Sequence, residues 1–227
     1  DDLNLSSISQ VYKNGKLVCE NGKALFECET VDNSKVTNTV HLPKISADFF
    51  KTDVKDKFDA IELIPESIIT KKVTVSYSDS LSKVCVIERH HNLGTKGIGF
   101  VTNYGITNGA IATSIGHDSH NVIVIGDNDS DMALAVNTLG TSGGIAVCSE
   151  GKVIASMTLD IAGLMSVKSA DEVTREHDNL YSAAKVLNIT DKIDPFLSLA
   201  FLPLPVLPEV RITDSGLFDV INFKFVE

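Results

Sequence analysis

Four short runs contain almost nothing polar: Val84-Cys85-Val86-Ile87, Ala110-Ile111-Ala112-Thr113-Ser114-Ile115, Val122-Ile123-Val124-Ile125 and Ile145-Ala146-Val147-Cys148. They are too short for helices, rich in β-branched residues and bounded by Gly, Asn and Asp, so they read as strands buried on at least one face. Two further strands sit beside them. Residues 98–101 follow the turn Gly94-Thr95-Lys96-Gly97, and residues 153–157 follow Glu150-Gly151. The pairs 84–87 with 98–101, 110–115 with 122–125 and 145–148 with 153–157 are expected to form hairpins of a mostly antiparallel or mixed sheet.

Two helices are expected among these strands. Asn128 can cap a helix with Asp131 in its first turn; Met132, Val136 and Leu139 form its apolar stripe, and Gly140 stops it. A second opens with the capping box Ser169-x-x-Glu172, and Val173, His177, Leu180, Ala184 and Leu187 recur at a period near 3.6. His177 lies on that stripe and reads as a packed core-edge histidine. The fold class is α+β, with mixed α/β layers.

The N-terminal region has a different character. Asn14-Gly15 and Asn21-Gly22 divide residues 8–28 into three short strands, a β-meander too small to be stable alone. Residues 29–45 are polar and end near Pro43, which suits a linker. Residues 1–30 are therefore expected to belong to an incomplete β-sandwich, 31–45 to a linker and 46–227 to the main domain. A chain of 227 residues can bury roughly 70–75% of its unfolded surface, so the core needs no metal or disulfide staple.

Composition narrows the partners. Thirty acidic against 20 basic residues leave a net charge of −10, the wrong sign for an electrostatic nucleic-acid binder. The longest apolar stretch, 196–210, is interrupted by Pro203, Pro205 and Pro208, which disfavours a membrane-spanning helix. Cys19, Cys28, Cys85 and Cys148 are scattered and read as reduced, buried thiols in a cytoplasm. The opening Asp1-Asp2-Leu3-Asn4 has no initiator Met and no signal-peptide pattern, which suggests a piece of something longer.

Four of the six histidines fall in two polar clusters at expected strand ends, Glu88-Arg89-His90-His91-Asn92 and His117-Asp118-Ser119-His120-Asn121. A plain turn would be satisfied by Asn, Gly or Ser. Glu88, Arg89, His90, His91, His117, Asp118, Ser119, His120 and Asn121 are thus candidates for an active-site-facing edge that moves protons, binds metal or holds a polar heterocycle. The competing reading is a buried polar network in which Asp118 and His120 satisfy a tight turn and Arg89 pairs with a carboxylate. No catalytic residue is assigned. His117 and His120 are the candidate metal pair, although His117-x-x-His120 is not H-E-x-x-H, and the adjacent His90 and His91 would point to opposite faces if extended. Walker-type, G-x-S-x-G and P-C-x-x-C signatures are absent, as is the H-x-H pair of metal-dependent hydrolase barrels.

Several segments together resemble the C-terminal domain of bacterial adenine deaminases. They are 86–92 with Gly97-Ile98-Gly99-Phe100-Val101, Gly109-Ala110-Ile111-Ala112-Thr113-Ser114, 117–126, and the helix with Asp129, Asp131-Met132-Ala133 and Ala135-Val136-Asn137. Ile161-Ala162-Gly163-Leu164-Met165-Ser166, Asp194-Pro195-Phe196, 199–201 and Leu207-Pro208-Glu209 continue it, so the likeness covers roughly residues 80–226. Residues 1–28 are similar to the stretch that leaves the barrel in amidohydrolases.

The resemblance implies part of an enzyme converting adenine and water to hypoxanthine and ammonia with a divalent metal, manganese or iron, held in an upstream (β/α)₈ barrel. The implied partners are that barrel and adenine, without nucleic acid or membrane; a homodimer stays open. The chain alone is expected to be inactive. Two alternatives stand beside this: a structural or oligomerisation domain, and an independent metal-dependent hydrolase.

Overall fold

The structure, a computed structural model, describes residues 8–27, 29, 31–78 and 80–226. It divides into a first unit running to Lys35 and a second from Val36 onward. In the first, β1 (Gln10–Lys13), β2 (Lys16–Glu20) and β3 (Lys23–Ala24) form an antiparallel meander. Asn14 and Asn21 take the left-handed conformation that tight Asn-Gly hairpin turns require, with φ of 51° and 49°. No residue of these strands is buried, and Val11 and Tyr12 are exposed.

The second unit is built on a sheet of eight strands: β4 (Phe58–Leu63), β5 (Thr70–Val75), β6 (Ser82–Ile87), β7 (Lys96–Thr102), β8 (Gly109–Thr113), β9 (Val122–Gly126), β10 (Gly144–Ser149) and β11 (Lys152–Thr158). Their spatial order is β11-β10-β8-β9-β6-β7-β4-β5. Every neighbouring pair is antiparallel except β4 with β7, so the sheet is mixed. The three expected hairpins are present as β6–β7, β8–β9 and β10–β11.

Among the described residues three α-helices complete the unit: α1 (Asp129–Thr138), α2 (Ala170–Ala184) and α3 (Pro195–Phe201). A second small antiparallel sheet follows, of β12 (Val210–Thr213), β13 (Gly216–Asp219) and β14 (Lys224–Phe225). The central strands read as continuous apolar runs because both faces are covered. Val84, Val86, Ile111, Ile123, Ile125, Ile145 and Val147 pack in one cluster with Leu180 of α2, Leu199 of α3 and Ile212 of β12. Cys85, Ile87, Ala110, Ala112, Val122, Val124, Ala146 and Cys148 pack in the other with Met132 and Val136 of α1. The small residues on this second face let α1 approach the sheet closely.

Both expected helix starts are observed. Asn128 Oδ1 accepts from Asp131 N at 2.8 Å, and the Ser169–Glu172 capping box is complete. On α2, Leu180 and Ala184 are buried, as is Leu187 just beyond; His177 is exposed, its ring centroid 4.7 Å from that of Tyr181. The third helix lies in a stretch whose prolines concealed it. Asp194 caps it through the amides of Phe196 and Leu197, and Pro195 occupies the first turn, where its missing N–H costs nothing.

Residues 36–45, polar enough to suggest a linker, lie on the α1 face: Val40 and Ile45 are buried, and Asn137 of α1 bonds both backbone groups of Ile45. Cys85 and Cys148 are free and buried, which pushes both thiols up to about 12. Cys19 is part-exposed, and Cys28 lies outside the described residues. Among the described residues no helix is long and apolar enough to cross a membrane.

Two outcomes follow from this packing. A Cβ at Gly109 would lie 2.1 Å from the Cys148 carbonyl oxygen on the neighbouring strand. Gly109→Ala should therefore cost about 3 kcal/mol, read as a lowered urea midpoint. Cys85 and Cys148 should resist a thiol reagent in the native protein at pH 8 and react only in denaturant, which peptide mapping checks.

Candidate functional site

The site follows from strand register. Ile87, the last residue of β6, lies opposite Val122, the first of β9. The loop leaving β6 and the loop entering β9 therefore emerge side by side at one end of the sheet, and the two histidine clusters meet there.

In the first loop Glu88 is 6% exposed, and its carboxylate is taken up by the turn that follows. Oε1 accepts from the amides of His90 (2.6 Å) and His91 (2.8 Å), and Oε2 from that of Leu93 (3.0 Å). Burial opposes its ionisation, but these amides outweigh burial and hold the carboxyl below its ordinary value. The His91 ring is exposed, with Nδ1 3.5 Å from Glu88 Oε1. His90 Nε2 lies 2.8 Å from the Ser119 carbonyl oxygen, which ties the first loop to the second.

Arg89 is 2% exposed. The expectation of a carboxylate partner is corrected here. Its guanidinium donates to the carbonyl oxygens of His120 (from Nε) and Ala162 (2.9 Å), and to Thr39 Oγ1 (3.3 Å). Burial lowers its pKa. Backbone carbonyls can serve a buried cation as a carboxylate would, because their dipoles converge without a second desolvated charge.

In the second loop His117, Asp118 and Ser119 are exposed. The His117 ring packs on Phe201 of α3 at 4.3 Å between centroids, and its amide donates to the Ala200 carbonyl. Asp118 and His120 are both left-handed, with φ of 66° and 48°. Asn121 is 5% exposed. Two buried atoms here have no hydrogen-bond partner, His120 Nδ1 and Asn121 Oδ1. The His120 pKa is lowered by burial first, then by Arg89, His117 and His90, against a smaller opposing effect of Asp118.

A third segment reaches the same place. Besides the Arg89–Ala162 bond, Ser114 Oγ donates to the Gly163 carbonyl at 2.6 Å and accepts from Gly144 N at 2.7 Å. Residue-type reasoning passed over 161–166 because it holds no titratable side chain; the Ala-Gly pair, both at positive φ, was its only local signal.

Among the described residues no group of three or more His, Cys, Asp or Glu is placed to hold a metal ion. The His117 ring is engaged with Phe201, and Glu88 is consumed by three amides. Among the described residues neither cluster by itself fits a manganese or iron centre.

A family model described as the adenine deaminase C-terminal domain matches residues 62–224, nearly the whole span of the eight-stranded sheet and its covering helices. The fold and its looped end are thus those of that domain. The chain is 40% identical over 239 residues to adenine deaminase 2 of Carboxydothermus hydrogenoformans and 41% identical over 241 residues to the adenine deaminase of Clostridium acetobutylicum. It is 38% identical over 243 residues to that of Halalkalibacterium halodurans; each match covers 100% of this chain and 42% of the relative. The chain belongs to the adenine deaminase family, and it corresponds to the C-terminal part of those relatives.

Glu88→Gln removes the charge that organises the first loop and should cost about 2 kcal/mol at neutral pH. A folded pKa below the unfolded value gives stability that is present above the unfolded pKa and lost as pH falls through the folded one. The gap between wild type and Gln in urea denaturation should therefore close as the pH drops below about 4.

Proposed function

We propose that this chain supplies the C-terminal part of an enzyme that hydrolyses adenine to hypoxanthine and ammonia, with water oxygen replacing the exocyclic nitrogen. Residues 1–30 would complete a small β-sandwich beside the upstream barrel, and the domain from residue 46 would present its looped end to that barrel. The metal, manganese or iron, would be held by barrel residues. His90, His117, His120 and Asn121 would enclose the purine or orient the groups around it. The purine is neutral and planar with ring nitrogens that accept and an amine that donates, so imidazole and amide groups suit it.

The observation that carries this reading is the meeting of both clusters at one end of the sheet, where His90 Nε2 reaches the Ser119 carbonyl at 2.8 Å and His90, His91 and His117 stay exposed. The free, buried Cys85 and Cys148 support a reducing cytoplasm. The oligomerisation alternative would act through β11, an edge strand with Val153 and Ile154 exposed.

In the full-length enzyme, His117→Ala and His120→Ala should each lower kcat/KM for adenine by roughly tenfold or more with metal content unchanged. Unchanged kcat and KM would remove the site reading. The 227-residue chain alone should neither bind stoichiometric metal nor form hypoxanthine; turnover by it would favour the independent hydrolase.

A further inference from the structure

We propose that Arg89 is a positioning residue: its buried guanidinium fixes the His120 turn against the 161–165 turn, so that the placement of His120 depends on it. The inference rests on the reading that His120 faces the adenine site.

The geometry supports it in three ways. First, the two carbonyls that Arg89 holds belong to residues in the left-handed conformation, His120 (φ 48°) and Ala162 (φ 57°). Such a conformation is strained in a non-glycine residue and persists where surrounding bonds impose it. Second, the hub extends to the remaining walls. Arg89 reaches Thr39 Oγ1, its own carbonyl accepts from His41 N at 2.8 Å, and a Cβ at Gly163 would lie 2.9 Å from Nη1. Third, the turn that Arg89 grips is anchored on its other side, where Ser114 Oγ donates to the Gly163 carbonyl and accepts from Gly144 N. Arg89 is also the permanent cation beside the His120 ring, whose other titratable neighbours are His90, His117 and Asp118.

The molecule contains its own control. Arg211 is equally buried and donates to the carbonyls of Leu207, Phe201, Ile68 and Pro208; of these Phe201 touches a histidine loop, through its ring on His117, and Arg211 makes no bond to His120. A merely structural arginine should behave like Arg211.

The test compares Arg89→Met and Arg89→Lys with Arg211→Met. In the 227-residue chain, NMR titration of the His120 ring should show its pKa rising in Arg89→Met, since a cation that opposes protonation is gone, and staying at the wild-type value in Arg211→Met. Arg89→Lys keeps charge but loses the fork of donors, so its His120 pKa should stay nearer wild type. In the full-length enzyme both Arg89 variants should lose roughly tenfold or more in kcat/KM for adenine, and guanidinium ion should restore part of the loss in Arg89→Met. Arg211→Met should lower the melting temperature alone. A His120 pKa unmoved by both Arg89 changes, or a kcat/KM as insensitive to Arg89 as to Arg211, overturns the inference. If Met does not fold, Lys alone decides by the same kcat/KM criterion. Should His120→Ala itself leave kcat/KM intact, the site reading fails instead, and the NMR result still decides whether Arg89 governs His120.

Discussion

The pairing of Ile87 with Val122 decides what this domain can present. Once β6 and β9 are antiparallel in that register, Glu88 and Asn121 must leave the sheet at the same end, whatever their side chains. That register is held by burial on both faces: Val86 and Ile123 lie in one core cluster, Ile87 and Val122 in the other. A one-residue slip of β9 would exchange these sets, carrying Ile123 and Ile125 to the α1 face in place of the smaller Val122 and Val124. The hydrophobic effect thus sets the address of a polar site.

Backbone dipoles then stabilise that site. Glu88 and Arg89 are consecutive, buried and oppositely charged, yet the backbone satisfies both. The anion gathers three amides of its own loop, and the cation gathers carbonyls from two other loops. Local capture shapes a turn; distant capture joins segments far apart in sequence. This division explains why the first loop is ordered by one carboxylate while three loops are joined by one guanidinium. It also leaves the imidazoles of His117 and His91 exposed, and His120 Nδ1 and Asn121 Oδ1 without a partner.

Much of the sheet was legible because strands covered on both faces cannot carry polar residues, so β6, β8, β9 and β10 announce themselves. The two strands at the β5 edge, β4 and β5, do not. Phe58-Asp59-Ala60-Ile61-Glu62-Leu63 and Thr70-Lys71-Lys72-Val73-Thr74-Val75 mix charges into a half-exposed pattern, and β12 to β14 are too short to show a period. Helices α1 and α2 were legible from their caps. The third was hidden by prolines beyond it, although Asp194-Pro195 is a helix start in its own right. At the site, residue chemistry found both clusters but could not show that they meet, since that depends on pairing across 31 residues from Arg89 to His120. Nor could it foresee that Arg89 would choose carbonyls, because those acceptors belong to every residue and leave no mark in the sequence.

The central claim is that the looped end of this domain faces the purine site of the full-length enzyme. Hydrogen exchange read by mass spectrometry, with and without saturating hypoxanthine, tests it most directly. Peptides covering 88–93 and 116–121 should exchange more slowly with the product bound, while β4, β5 and β11 keep their rates. Protection confined to the barrel, with both loops unchanged, would contradict the account.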